Sequence, residues 1–349
     1  MKQPGFKLLK KLPAAALAAV IALGAGASSL SFAPSVSAEA YAASVPNFND
    51  PAKMELVYLL DASISSQQRF AQSSDSPPYW ALAAAQNKAL KALSDPSSAA
   101  SDLFSARQQL QNALWDYDYR YVRDLNETRI VMGRLGNWIY SSYPSSDPSY
   151  LTPWEKGVVD LIDETYAYMA RLGSSRSEAV KAYQYFNFKL SALSDLETPD
   201  INRYASSLAS AQARIAAPLA QLGQYGVNMD ARVNDFDRAS AFMQALLNNG
   251  PYNDAVYTSA MHDVNLYAST IINSEELARA IKRAQNMVDT SPRGIRSGEY
   301  PASAFGALNR AINHAQRVLE TAASAEEIKN ESYELNFVAT EKFEQSVKP

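Results

Sequence analysis

One arrangement of apolar positions recurs four times along this 349-residue chain, and it constrains the fold more than any other feature. The first copy runs Leu82, Ala85, Gln86, Ala89, Ala92 and Leu93, and the second Val159, Ile162, Asp163, Tyr166, Met169 and Ala170. The third is Phe236, Ala239, Ser240, Met243, Leu246 and Leu247, and the fourth Leu308, Ala311, Ile312, Ala315, Val318 and Leu319. Offsets of three and four place each set on one face of a helix. The copies begin 77, 77 and 72 residues apart.

A second periodic segment follows each copy after a polar turn. It reads Leu103, Ala106, Leu110, Ala113 and Leu114, then Ala179, Ala182, Phe186 and Leu190. The later two read Tyr257, Ala260, Val264, Tyr267 and Ala268, and Ile328, Leu335, Val338 and Ala339, with Glu331 breaking the pattern. Further helical segments precede each hairpin, at about 51–70, 127–139, 199–222 and 274–288. Asp50-Pro51 and Thr198-Pro199 place a capping residue and a first-turn proline where helix starts favour them. A two-helix hairpin leaves apolar surface open, and a third helix closes it. The expectation is an all-α, elongated tandem array of about four three-helix bundles, at residues 45–122, 123–197, 198–272 and 273–349.

Neither glycine nor proline occurs from 101 to 132 or from 252 to 288. Each stretch predicts one unbroken helix shared by neighbouring units, ~48 and ~55 Å long. Pro199 interrupts the middle junction, because proline disfavours a helical residue before it. Two rigid two-unit rods hinged near Glu197 are therefore expected.

Residues 1–40 read as a cleavable secretory signal. Lys2, Lys7, Lys10 and Lys11 precede an apolar run over 12–30, and small residues such as Val36-Ser37-Ala38 close it. With no cysteine in the chain, lipoprotein acylation and disulfides are excluded, and a secreted or cell-wall protein stable through its core alone is expected. Without the four leading lysines, 28 basic residues face 36 acidic ones, a net charge of −8. That balance opposes nucleic-acid binding, and no later apolar run suits stable membrane insertion.

Residues around the fourth copy resemble a FIVAR module, a small helical domain of Gram-positive cell-wall and secreted proteins. Tyr300-Pro301, Phe305, Leu308, Ala311-Ile312, Ala315, Val318-Leu319, the turn at 323–327, Ile328, Leu335 and Phe343 carry the resemblance, and Pro78-Tyr79-Trp80 resembles a looser second copy. The resemblance implies a helical accessory for attachment or protein contact, often beside polysaccharide-degrading enzymes. The C-terminal hairpin is also similar to the C-terminal domain of CAMP-type co-haemolysins, whose central membrane-active portion has no counterpart here.

Candidate chemistry is sparse. The two histidines, His262 and His314, fall in different units and read as solvated helix-surface residues. Asp160, Asp163 and Glu164, like Glu326, Glu327 and Glu331, can share a cation or act as acid and base at helical spacing, but capping and solubility explain them more simply. Asp50, Asp95 and Asp147 each precede a proline, where turn formation suffices. No catalytic, metal or cofactor site is expected. Tyrosine is the exception, with 20 copies that cluster. Tyr117 and Tyr121 continue the core face of Leu110, Ala113 and Leu114, whereas Trp115 and Tyr119 point elsewhere. Together with Tyr143 and Tyr150 beside a Ser/Pro loop, that pair is the candidate ligand contact, either stacking on a sugar or anchoring a protein interface. Packing against the adjoining unit is the plainer explanation and weighs more. The function expected is a non-catalytic binding or spacer module contacting envelope polysaccharide or a surface protein. A carbohydrate-binding accessory protein and a membrane-active CAMP-like protein are the alternatives.

Overall fold

The computed structural model describes residues 48, 50–70, 77–95, 97–142, 151–322 and 324–349. The signal segment at 1–40, Tyr143 and Tyr150 lie outside them. Within the described residues the protein is all-helical, and an isolated bridge between Arg293 and Tyr300 is the one extended pairing. The helices are α1 (Pro51–Arg69), α2 (Pro77–Ser94), α3 (Ala100–Tyr121), α4 (Asn126–Ser141), α5 (Pro153–Met169) and α6 (Arg176–Ala192). A 3-10 turn (Leu193–Leu196) leads to α7 (Ile201–Gln224), α8 (Asp230–Asn249), α9 (Asp254–Thr290), α10 (Ala302–Thr321) and α11 (Ala325–Tyr333). A π-helical stretch (Glu334–Ala339) connects α11 to α12 (Thr340–Glu344).

Local chemistry sets most of the starts. Asp50 accepts from the Ala52 N–H at 3.0 Å with Pro51 in the first turn, and Thr152 and Glu155 form a reciprocal capping box on α5. Ser175 and Asn253 cap α6 and α9. The cap of α7 is Asp200, two residues beyond the expected Thr198, because its carboxylate accepts from the Arg203 N–H. Gly226, at φ 71°, turns the chain out of α7 so that the Val227 N–H closes on the Leu222 carbonyl.

Helices α1, α2 and α3 pack on one another, as do α4, α5 and α6, while α9 packs with α7, α8, α10 and α11. The first, third and fourth copies of the apolar pattern lie on the core: Leu82, Ala89, Ala239, Met243, Leu308 and Ala315 are all buried. The second copy is displaced by one position. Val158, Leu161, Thr165 and Met169 face inward on α5, whereas Asp163, Tyr166 and Ala170 are exposed. Both sets satisfy helical spacing, and only packing against α4 and α6 decides between them.

The uninterrupted stretch at 252–288 does form one helix, α9, from Asp254 onward. The stretch at 101–132 does not, and the shared helix expected there is two: α3 ends at Tyr121 and α4 begins at Asn126. The break comes from tertiary contact. Val122, at ψ 110°, is completely buried against Ala179, Val180 and Tyr183, and Arg176 donates to the carbonyls of Val122 (3.1 Å) and Arg120 (2.7 Å). The last carbonyls of α3 thus find a cationic partner from α6. Asp124 then accepts from the Asn126 N–H and starts α4.

The chain also breaks beside Glu197, but helices from before and after that break lie against each other. Helix α1 packs against α6 and α9, and one continuous core runs from α1–α3 through α7–α12. Asp195 accepts from Tyr58 of α1 and from Asn253, both at 2.6 Å, so the turn is pinned. Arg238 of α8 pairs with the buried Asp263 (3.1 Å) and donates to Ser94 of α2, tying the two ends of that core together.

Candidate functional site

The packing of α6 across α1 and α3 leaves a hollow of about 480 Å³, with Tyr168 of α5 at its edge. Leu59 and Ala62 of α1 form part of its apolar floor together with Leu114 and Phe188. Trp115 stands in the α3 wall, and Tyr185 in the α6 wall. Tyr168 and Tyr185 stack with ring centroids 4.6 Å apart, and the Tyr185 hydroxyl donates to Glu164. The Glu164 carboxylate beside it raises the Tyr185 hydroxyl to about 12, so it stays a donor.

Polar groups are set among these rings. Asp118 is almost wholly buried; one carboxylate oxygen accepts from Ser66 of α1, and the other accepts from Gln184 Nε2 at 2.8 Å. Burial raises its carboxyl from 3.8 to about 7, despite both hydrogen bonds favouring the charged form. Tyr183, whose hydroxyl lies beside Ser66 and Asn187, is raised to about 12, again chiefly by burial. Gln111, Arg107 and Lys181 stand at the rim, where Arg107 is paired with Glu55.

Trp115 and Tyr119 do sit together, stacked at 6.4 Å, but their situations differ. Trp115 is half-buried, packed against the Val122–Val180–Tyr183 cluster, and also lines the hollow. Tyr119 is 43% exposed, and the Arg176 guanidinium covers its ring at 4.8 Å. With Trp115 stacked on it as well, Tyr119 buttresses the wall instead of offering a free face. The sequence pointed to Trp115 but missed Asp118, Gln184, Asn187 and Tyr168. The signals available were an aspartate on the buried side of the Tyr117–Tyr121 run and the aromatic cluster around Tyr185.

The remaining candidates resolve plainly. His262 is half-buried instead of fully solvated as expected, and desolvation lowers it from 6.5 to about 4, so it is neutral near pH 7. His314 is exposed, with Nδ1 2.9 Å from Glu331. Glu326 pairs with Lys329, Asp95 accepts from Ser97, and Asp160 and Asp163 are exposed. No group of three or more potential ligands able to hold a metal ion occurs among the described residues, and no described helix is long and apolar enough to cross a membrane. A second hollow of about 570 Å³ lies between α10 and the α11–α12 segment, lined largely by Ala304, Ala307, Ala311, Leu335 and Val338.

In comparisons with known proteins the chain matches no family model, and no curated protein or solved structure is significantly similar to it.

Proposed function

We propose that this protein is a non-catalytic helical binding and spacer module, exported to the cell envelope or beyond, that holds its ligand in the hollow between α1, α3 and α6. The observation carrying this reading is that hollow itself: aromatic side chains and oriented polar groups from helices of two packed groups converge on one space of ligand size. A binding role suits the chemistry. Both oxygens of the one carboxylate in its lining, Asp118, are committed to Ser66 and Gln184, so no free acid and base face a ligand together. The −8 balance and the leading basic-then-apolar segment support export and argue against nucleic acid as partner. The fourfold spacing supports a tandem array built on one helical unit, with the FIVAR-like residues of the last copy serving attachment or protein contact.

Retention on isolated cell envelope tests the reading. The purified protein is expected to be retained, and Trp115→Ala to lose most of that retention while keeping its helical circular-dichroism spectrum. Equal retention of the two proteins would sink the assignment of the hollow.

A further inference from the structure

We propose that the hollow between α1, α3 and α6 is a saccharide site that takes a short neutral oligosaccharide. The inference rests on the binding reading above and adds the ligand class to it.

A sugar ring has two demands. Its C–H face needs an aromatic or apolar surface, and its hydroxyls, each both donor and acceptor, need partners of both kinds held at fixed angles. The hollow meets the first demand with Trp115 on one wall and, on the other, with Tyr168, which stacks on a Tyr185 ring that Lys189 also covers at 5.6 Å. It meets the second with amides, since Gln111, Gln184 and Asn187 each carry an N–H₂ and a carbonyl oxygen.

Gln184 is the most constrained of these groups. Its Nε2 donates to Asp118 at 2.8 Å, and Asp118 is itself held by Ser66 on another helix. The buried carboxylate therefore fixes which end of the amide is nitrogen and which way the plane lies. Such pre-orientation lowers the entropy lost when a hydroxyl binds. Asp118 acts through Gln184 and is a positioning residue.

Other ligand classes fit less well. A lipid tail or apolar peptide side chain would strip water from the amides and from Arg107 without replacing those hydrogen bonds. A strongly anionic ligand would compete with Glu55 for Arg107. A cation would meet Lys181 and Arg107 at the rim. The volume, about 480 Å³, suits a few sugar rings and falls within the range of small-ligand sites.

Calorimetric titration of the purified protein with neutral tetrasaccharides of glucose, xylose, mannose and N-acetylglucosamine tests the proposal. Saturable binding of at least one is expected, weakened about tenfold or more by Trp115→Ala and several-fold by Gln111→Ala and Gln184→Ala. Gln111 is exposed, so Gln111→Ala remains informative if Trp115→Ala fails to fold. Trp138→Ala, at a ring 54% exposed and outside the hollow, is expected to bind as the parent does. Absence of saturation with every sugar at 10-fold above ~1 mM, or binding that none of the three variants weakens, overturns the saccharide assignment. Envelope retention that still depends on Trp115 in that case would leave the hollow a binding site for another class. Retention indifferent to Trp115 would remove both readings.

Discussion

Asp118 makes a quantitative demand on the pH dependence of stability. Its carboxyl rises from 3.8 to about 7 in the folded protein, with burial as the leading cause. A carboxyl raised in the folded state binds more protons there than in the unfolded chain, so stability falls as pH climbs from about 4 to about 7 and then levels off. Three units at about 1.4 kcal/mol each give a loss of about 4 kcal/mol across that window, an upper bound for one ionised group held by only two hydrogen bonds. Asp118→Asn keeps the shape, its carbonyl oxygen can accept from Gln184 while its N–H₂ donates to the Ser66 hydroxyl in a reversed bond, and it has no charge to bury. The variant is therefore expected to match the parent within about 1 kcal/mol near pH 4 and to gain on it steadily up to pH 7. Urea denaturation of both proteins from pH 4 to 8 measures the difference. Taking that difference matters because other groups titrate in the same range. Asp61 and Asp263 are both raised to about 6 by burial and weaken the fold with rising pH, whereas His262, lowered to about 4, strengthens it between about 4 and 6.5. These shared contributions cancel between the two proteins. A difference that stays flat from pH 5 to 8, or that favours the parent at high pH, would show that the ionised carboxylate is stabilised in place and refute the reasoning.

Two further perturbations test the joints of the fold. Arg238→Met removes the partner of Asp263, which is 1% exposed, and is expected to cost about 3 kcal/mol at pH 8 and less at pH 5, where Asp263 takes up a proton. Chemical denaturation at the two pH values checks the sign, and an equal cost at both would contradict it. Arg176→Ala uncaps the carbonyls of Arg120 and Val122, at about 2 kcal/mol. Hydrogen exchange should then accelerate around residues 119–126 while α9 keeps its protection, and unchanged exchange there would mean that Val122 burial alone ends α3.

The amino-acid sequence by itself determined that the chain is helical, and where a locally capped helix such as α1 begins. Three- and four-residue spacing and short-range caps such as Asp50 and Ser175 act within a turn or two, so they are legible without the rest of the molecule. The long helix α9 was legible for the same reason, since nothing in 254–290 interrupts it. Contacts between residues 50 or more apart decided the rest. The end of α3 depends on Arg176 reaching back to Val122. The side-by-side arrangement of α1 with α6 and α9 replaces the hinged rods that Pro199 suggested. The candidate site belongs to this second kind. Trp115 stood out as an aromatic off the core stripe, but Ser66, Asp118 and Gln184 come from three helices, and their meeting is a property of packing. A proline or a cap acts on its own backbone, whereas a hollow exists only where separate surfaces fail to fill the space between them.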